Sequence, residues 1–384
     1  MRKLIFNNTC FFGIDSIDQI SAEIQYDGYK KCFIITDDNL ISCGIYQKII
    51  NVLDRAKIEY KMYSEITSKP TVKDIKNAYN AFKRSKTDLI LAVGGGSVID
   101  TAKAVSIIAT NPDYKDILSL NGYKNNLNAP LAVYAVPTTA GTAAEISKCL
   151  IIKDEANSKN IVCLSDDMLP KKAFIDAELM TTMPDIVTLS SGFIALGHAV
   201  ESMISKNATA LSNTLSKDAI KLIVENLPNS YDNPDDLESR ENMAYASYIA
   251  GLAYTNAGLG LANSMAHAIC SEFKIEQGIA LAMVLPTVLK YNMYSSKSYL
   301  YKNIAEAFDI NTTNMTIDQI CRASYRAIDK FKNQFNVPKK LSDYGIKEKD
   351  LDTISLKTFE DFCTLSNPRE TTVTDIYMLF KKLL

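Results

Sequence analysis

The chain has 384 residues, 47% hydrophobic and 22% charged, with 42 basic against 44 acidic side chains and a net charge of −2. That balance excludes a strong pull toward nucleic acid or an anionic membrane, and there is no basic run with interleaved aromatics. The length allows two or three domains with a large buried core.

In chain order, MRKLIFNNTCFFG has too short an apolar run for a signal peptide, and no segment reaches the ~18 apolar residues of a membrane span. Cys32–Thr36 reads as a strand that exits at Asp37-Asp38-Asn39, and Ile41–Ala56 as the following helix. Leu89–Val93 is a second strand, running into Gly94-Gly95-Gly96-Ser97, with a helix over Val98–Ile108. Ala132–Val136 is a third strand, ending at Pro137-Thr138-Thr139. Strands alternating with helices predict right-handed crossovers and a parallel sheet. From about Asp185 no strand is expected. Helices are predicted over Ile186–Ser205, Leu215–Leu227, Arg240–Tyr254, Leu259–Phe273, Ala280–Tyr291, Tyr299–Phe308 and Ile317–Phe331. Pro228-Asn229 reads as part of a linker. The eight cysteines form no Cys-x-x-Cys pair and read as reduced thiols, so a cytoplasmic protein is expected.

Two loops stand out for ligand binding. Gly95, Gly96 and Ser97 sit between a strand and a helix, where glycine lets a ligand approach the backbone and free helical N–H groups attract phosphate. The competing reading is a tight turn with Ser97 as helix N-cap. Asp100, a turn further on, either complements the helix dipole or holds a sugar or a neighbouring loop. In Pro137–Glu145 the hydroxyls of Thr138, Thr139 and Thr142 suit a pyrophosphate or ribose. Alternatively, Thr142 and Glu145 form a capping box on a following helix. Asp37, or Asp38, can accept from adenosine ribose hydroxyls and repels a 2′-phosphate, which favours NAD, with NADP the alternative. Gly258-Leu259-Gly260 lacks a third glycine and reads as close helix packing.

The only two histidines are His198 and His267. Ile194 and His198 lie one helical turn apart, as do Asn263 and His267, and Gln277 follows after a short connection.

These motifs carry a resemblance. FNNTCFFG, IITDDNL, AVGGGSVIDTAKA, PTTAGTAAE, FIDAELM, NAGLGLANSMAH, MVLPTVLKYN and SNPRETT occur in the order found in the iron-containing, or group III, alcohol dehydrogenases. The resemblance runs nearly end to end. It implies a dehydroquinate synthase-like fold, with an NAD-binding α/β domain over 1–184 and an all-helical domain over 185–384. The cofactor would lie in the cleft between them and contact Asp37, Gly95, Gly96, Ser97, Thr138, Thr139, Thr142 and Leu179. A homodimer is implied too.

The family metal would fall to positions 194, 198, 263 and 277. Only His198 keeps a ligand type there, since the others are Ile194, Asn263 and Gln277, so no metal is expected. His267 matches a further family histidine near the nicotinamide and substrate. Cys149, Tyr254, Asn263, Gln277 and Cys363 would shape a pocket for a small alcohol or aldehyde. On this reading hydride passes between substrate and NAD while His267, helped by His198, moves the proton. Asn263 and Gln277 donate hydrogen bonds to the developing alkoxide. The alternative is a catalytically silent nucleotide-binding paralogue with a regulatory or heteromeric role.

Overall fold

The computed structural model describes residues 3–6, 9–67, 69–124, 128–157 and 159–384. Contacts divide the chain into two units. One is Ile5–Met183 with Pro234–Ala244, and the other is Met1–Leu4, Pro184–Asn233 and Tyr245–Leu384. The segment Pro234–Ala244, which sequence placed among the helices, groups with the α/β unit.

Among the described residues the α/β unit holds nine strands: β1 Thr9–Phe12, β2 Lys31–Ile35, β3 Glu59–Tyr63, β4 Leu89–Gly94, β5 Gly122–Tyr123, β6 Val133–Pro137, β7 Cys149–Asp154, β8 Lys159–Leu164 and β9 Lys172–Ile175. Six of them form one sheet in the order β1-β9-β6-β4-β2-β3, and every pairing in it is parallel. The centre is β4 and β6, whose residues are all buried, as strands covered on both faces must be. The expected β2, β4 and β6 are present within a residue or so at each end. β1 and β3 were not expected. They are edge strands: β1 (TCFF) is only four residues long and partly exposed, and β3 (EYKMY) is largely exposed and lacks a continuous apolar run. The β7–β8 antiparallel hairpin was also missed, although β7 alternates between half-buried and buried residues along its length.

Several boundaries differ from expectation for local reasons. The helix predicted over Ile41–Ala56 is two helices, Asp38–Ser42 and Ile45–Arg55. They are separated at Gly44, whose φ of 82° no helix interior allows. Pro228 lies inside the helix Ala210–Asp232 rather than in a linker. The helices Leu351–Glu360 and Val373–Lys381 were not predicted.

In the helical unit, every residue of the Asp185–Ile204 helix from Thr188 to Ile204 is buried. A helix packed on all sides has no polar face, which explains its weak periodicity. Against expectation, it is long and apolar enough to cross a membrane, but 89% of its apolar window is buried within the protein. Two glycines bring the Gln277–Asn292 helix onto it. A Cβ on Gly197 would stand 2.3 Å from Leu281 Cδ2, and one on Gly278 would stand 1.8 Å from the Ser190 carbonyl oxygen. This close approach positions His198 and Gln277, each beside one of the two glycines.

Candidate active site

In the α/β unit, β2, β4, β6 and β9 are adjacent and parallel, so the loops at their carboxyl ends share one edge of the sheet. That edge gathers Asp37, Gly95–Ser97, Thr138–Thr142 and Leu179, where open parallel sheets bind ligands. Gly94 pairs with Pro137, which sets the glycine loop beside the threonine loop. A Cβ on Gly96 would lie 2.8 Å from Thr142 Oγ1, and one on Gly95 would lie 3.4 Å from Thr139 Oγ1. Larger residues at 95 or 96 would therefore fill the space between the two loops. Gly95, not Ser97, is the N-cap of the Gly96–Thr110 helix, so the cap makes no side-chain bond and the positive end of the helix dipole lies at this loop.

Other expected residues at this edge have structural partners. Asp37 Oδ1 accepts from Asn39 N at 3.0 Å and Leu40 N at 3.1 Å, capping the short helix after β2. Asp38 is exposed in the first turn of that helix. Leu179 is 1% exposed and belongs to the core beneath the sheet edge. Asp100 turns away from the glycine loop: Oδ2 accepts from Ile151 N at 3.0 Å, and Oδ1 lies 3.8 Å from Lys103 Nζ. Of its three sequence readings, the one that survives is the tether to a neighbouring segment. The capping box expected from Thr142 and Glu145 is absent. Ala143 takes a left-handed conformation, a single 3-10 turn spans Ala144–Ile146, and β7 follows instead of a helix.

Lys103, missed in the sequence, explains how the threonine loop is held. It is fully buried, and Nζ donates to the carbonyls of Ser147 at 2.9 Å and Cys149 at 3.1 Å. Cys149, expected in the substrate pocket, is half-buried at the start of β7, and its carbonyl thus anchors the loop. Nearby, burial pushes the Glu145 carboxyl from 4.5 up to about 7, against the opposing pull of a backbone N–H and Lys103. The folded chain therefore retains a proton that the unfolded chain loses above pH 4.5, and stability declines as pH rises from there through about 7. Glu145→Gln should match the wild type at pH 4 and be more stable by a few kcal/mol at pH 8, on the order expected for such a shift. Melting temperature against pH for both proteins tests this, and a difference that does not change with pH would refute it.

In the helical unit, the Asp185–Ile204, Leu237–Ala257, Leu261–Glu272 and Gln277–Asn292 helices supply the second set of residues. His198 is buried, and its ring centroid lies 4.4 Å from that of Tyr254. Burial, then the charge of His267, lowers the His198 pKa to about 3, so its imidazole is neutral at physiological pH. His198 Nδ1 is buried without a hydrogen-bond partner. His267 Nδ1 lies 3.0 Å from Asp361 Oδ2. Burial opposes the charged imidazole, but Asp361 and, further off, Glu201 outweigh it and raise the His267 pKa above 6.5. Burial likewise opposes ionisation of Asp361, yet His267, Cys363 N and Ser264 Oγ hold its carboxyl below the ordinary range.

Glu201 fixes the remaining geometry. Its carboxylate accepts from Gly260 N at 2.9 Å, Ala262 N at 2.7 Å, Asn263 N at 3.1 Å and Asn263 Nδ2 at 2.8 Å. It thus caps the N-terminus of the Leu261–Glu272 helix from the side of the Asp185–Ile204 helix. Gly258-Leu259-Gly260 connects two helices, and the close packing expected of it is present: a Cβ on Gly258 would stand 2.5 Å from Ser366 Oγ and one on Gly260 2.8 Å from Glu201 Oε1. The same carboxylate engages Asn263. One of the two Nδ2 hydrogens goes to Glu201, and Oδ1 is a buried acceptor with no partner. Gln277, the first residue of its helix, is half-buried. Ile194 is 6% exposed and carries no donor or acceptor.

Asp361 and Glu201 were overlooked because neither belongs to a motif: Glu201 stands in a helix buried on all sides, and Asp361 directly follows the Leu351–Glu360 helix. The one available signal was Glu201 three residues after His198, on the same helical face.

The comparisons with known proteins agree with this architecture. Residues 7–177 match the iron-containing alcohol dehydrogenase family and residues 188–384 the C-terminal part of the Fe-containing alcohol dehydrogenase family. The chain belongs to that family of alcohol oxidoreductases, which act on CH–OH groups, and it has their dehydroquinate synthase-like fold. Among its relatives, lactaldehyde reductase of Escherichia coli (strain K12) is 34% identical over 99% of this chain and 98% of its own length. NAD-dependent methanol dehydrogenase of Bacillus methanolicus is 32% identical over 97% of each chain. The crystal structure of a 1,3-propanediol oxidoreductase superposes with a TM-score of 0.96 at 31% identity, covering 100% of both chains.

Proposed function

We propose that this protein transfers hydride between NAD and a small alcohol or aldehyde, and that His267, oriented by Asp361, moves the proton in place of a metal. The observation that carries the reading is the buried His267–Asp361 pair, 3.0 Å apart. An ionised carboxylate on Nδ1 keeps that nitrogen protonated and leaves Nε2 to exchange a proton with substrate oxygen. In alcohol oxidation, Nε2 takes the hydroxyl proton as the C–H hydride leaves. In aldehyde reduction the imidazolium returns it. NAD, when bound, supplies the hydride acceptor. The cradle between Gly95–Gly96 and Thr139–Thr142, with a helix N-terminus beside it, suits its pyrophosphate. Asp37 at the same edge favours NAD over NADP.

The metal that the family name implies does not fit the residues at the positions the resemblance assigns to it. Ile194 offers no ligand atom, Asn263 offers one neutral amide oxygen, and the only imidazole is His198. Iron or zinc centres need three or four imidazole, carboxylate or thiolate ligands. A cytoplasmic homodimer is part of the same proposal. All eight cysteines stand as thiols, which suits a reducing compartment, and light scattering tests the dimer.

The test is NADH oxidation by chelator-stripped protein with a panel of two- to four-carbon aldehydes. Turnover that persists after stripping is the expected result. Turnover lost on stripping and restored by ferrous iron would overturn the metal-free reading. NADH binding without turnover would favour the silent paralogue, a reading to which the unpartnered His198 Nδ1 and Asn263 Oδ1 also lend support.

A further inference from the structure

We propose that His267, Asp361 and Cys363 form a binding site for a thiophilic divalent cation such as zinc, and that its occupation switches the protein off. One atom from each side chain, an imidazole nitrogen, a carboxylate oxygen and the thiol sulfur, lies within 4.8 Å of the other two. Asp361 and Cys363 are two residues apart on one short turn, and His267 faces them from the Leu261–Glu272 helix. Imidazole, carboxylate and thiolate are the three donor types zinc prefers, and three protein ligands with one open position is a usual zinc arrangement. None of the three stands at a position the resemblance assigns to the family metal.

The surroundings hold this trio in place. Ser264 Oγ donates to Asp361 Oδ1 at 2.9 Å, and Thr364 Oγ1 donates to Ser264 Oγ at 2.9 Å. Cys363 N donates to the same Asp361 oxygen at 2.9 Å. Such outer contacts orient ligand groups. Cys363 is 1% exposed and His267 is 9% exposed, so a bound cation would be largely shielded from water.

The balance of protons sets the consequence. The cation takes the place of the proton on His267 Nδ1 and displaces the Cys363 thiol proton, while Asp361 enters already ionised. On the neutral imidazole the displaced Nδ1 proton moves to Nε2, and on the imidazolium it leaves to solvent, so in either case a single proton remains, on Nε2. That nitrogen has no lone pair left to accept a proton from an alcohol, so the metal blocks the step in which the proposed mechanism uses His267. The inhibitory effect rests on that mechanism, whereas the site itself does not. Binding releases protons, so it tightens as pH rises.

Cobalt(II) titration of chelator-stripped protein tests the site without any turnover. One equivalent per chain should produce a thiolate-to-cobalt absorption band in the near ultraviolet. Cys363→Ser should abolish the band and weaken cobalt and zinc binding by about tenfold or more. In parallel, zinc should inhibit NADH-dependent aldehyde reduction in the wild type, a chelator should reverse it, and Cys363→Ser should need a correspondingly higher zinc concentration. Absence of the band, or a band that survives in Cys363→Ser, overturns the site. A cobalt band with no turnover on any aldehyde leaves the site standing and removes the proposed function instead. Activation by zinc overturns the inhibitory role.

Discussion

His267→Ala should lower kcat/KM for NADH-dependent aldehyde reduction by about 10²–10⁴-fold, the usual contribution of a positioned acid or base. NADH affinity should stay close to wild type, because the cofactor cradle is built from residues of the α/β unit. Asp361→Asn is the more discriminating change. An amide can present either its oxygen or its NH₂ group to Nδ1, so the tautomer that leaves Nε2 unprotonated is no longer enforced. The pair also holds the His267 pKa above 6.5. A group raised in this way is protonated, and able to donate in reduction, at pH values below its folded pKa. Reduction should therefore fall as pH rises through that value. In Asp361→Asn the falling limb should move to lower pH, because burial remains and the compensating charge is gone. A purely structural role for Asp361 would lower activity without moving the limb. Rates of both variants across pH 5–9, set beside NADH titrations, separate these outcomes, and an unshifted limb would refute the positioning role.

Glu201→Ala should destabilise the fold by about 3–5 kcal/mol, the range for removing one partner of a buried charged network. The loss strands Gly260 N, Ala262 N, Asn263 N and Asn263 Nδ2, all of which donate to this carboxylate. Burial pushes the Glu201 carboxyl above its ordinary range against those four donors, so ionisation here is costly. The donors decide the matter: each orphaned buried N–H costs about 1–3 kcal/mol, and together they outweigh the relief of removing a buried acid. Glu201→Gln should be milder, because its amide oxygen still accepts from part of the set. Urea unfolding of the three proteins measures the order, and a Glu201→Ala variant as stable as the wild type would refute it. The same change frees Asn263 to rotate. Aldehyde selectivity should then shift in Glu201→Ala by more than stability alone explains.

Much of the nucleotide edge was legible in the chain. β4 is a continuous apolar run ending in three glycines, and β6 ends in a threonine-rich loop. Each of those patterns has few structural meanings, because glycine and small hydroxyl residues at a strand end are chosen for backbone approach. What failed there were the side-chain assignments. Asp100 and Glu145 read as ligand or cap residues because a sequence does not reveal Lys103, three residues from one and forty-two from the other, buried beneath both. The β7–β8 hairpin was lost for a related reason, since its half-buried alternation competes with a neighbouring motif that reads as a helix cap.

In the helical half the sequence determined that His198 and His267 each lie one helical turn after Ile194 and Asn263, and the family resemblance implied that Ile194, Asn263 and Gln277 deprive the metal positions of ligands. The spacing follows from local helical geometry, whereas the metal positions follow from the resemblance. Only the tertiary structure decided what His267 and Asn263 do. Asp361 lies 94 residues from His267, and Glu201 lies 62 residues from Asn263. Their hydrogen bonds set which imidazole nitrogen keeps its proton and how the amide is turned. A proton position or an amide orientation is fixed by the partner across the contact, and that partner is known only once the helices are packed.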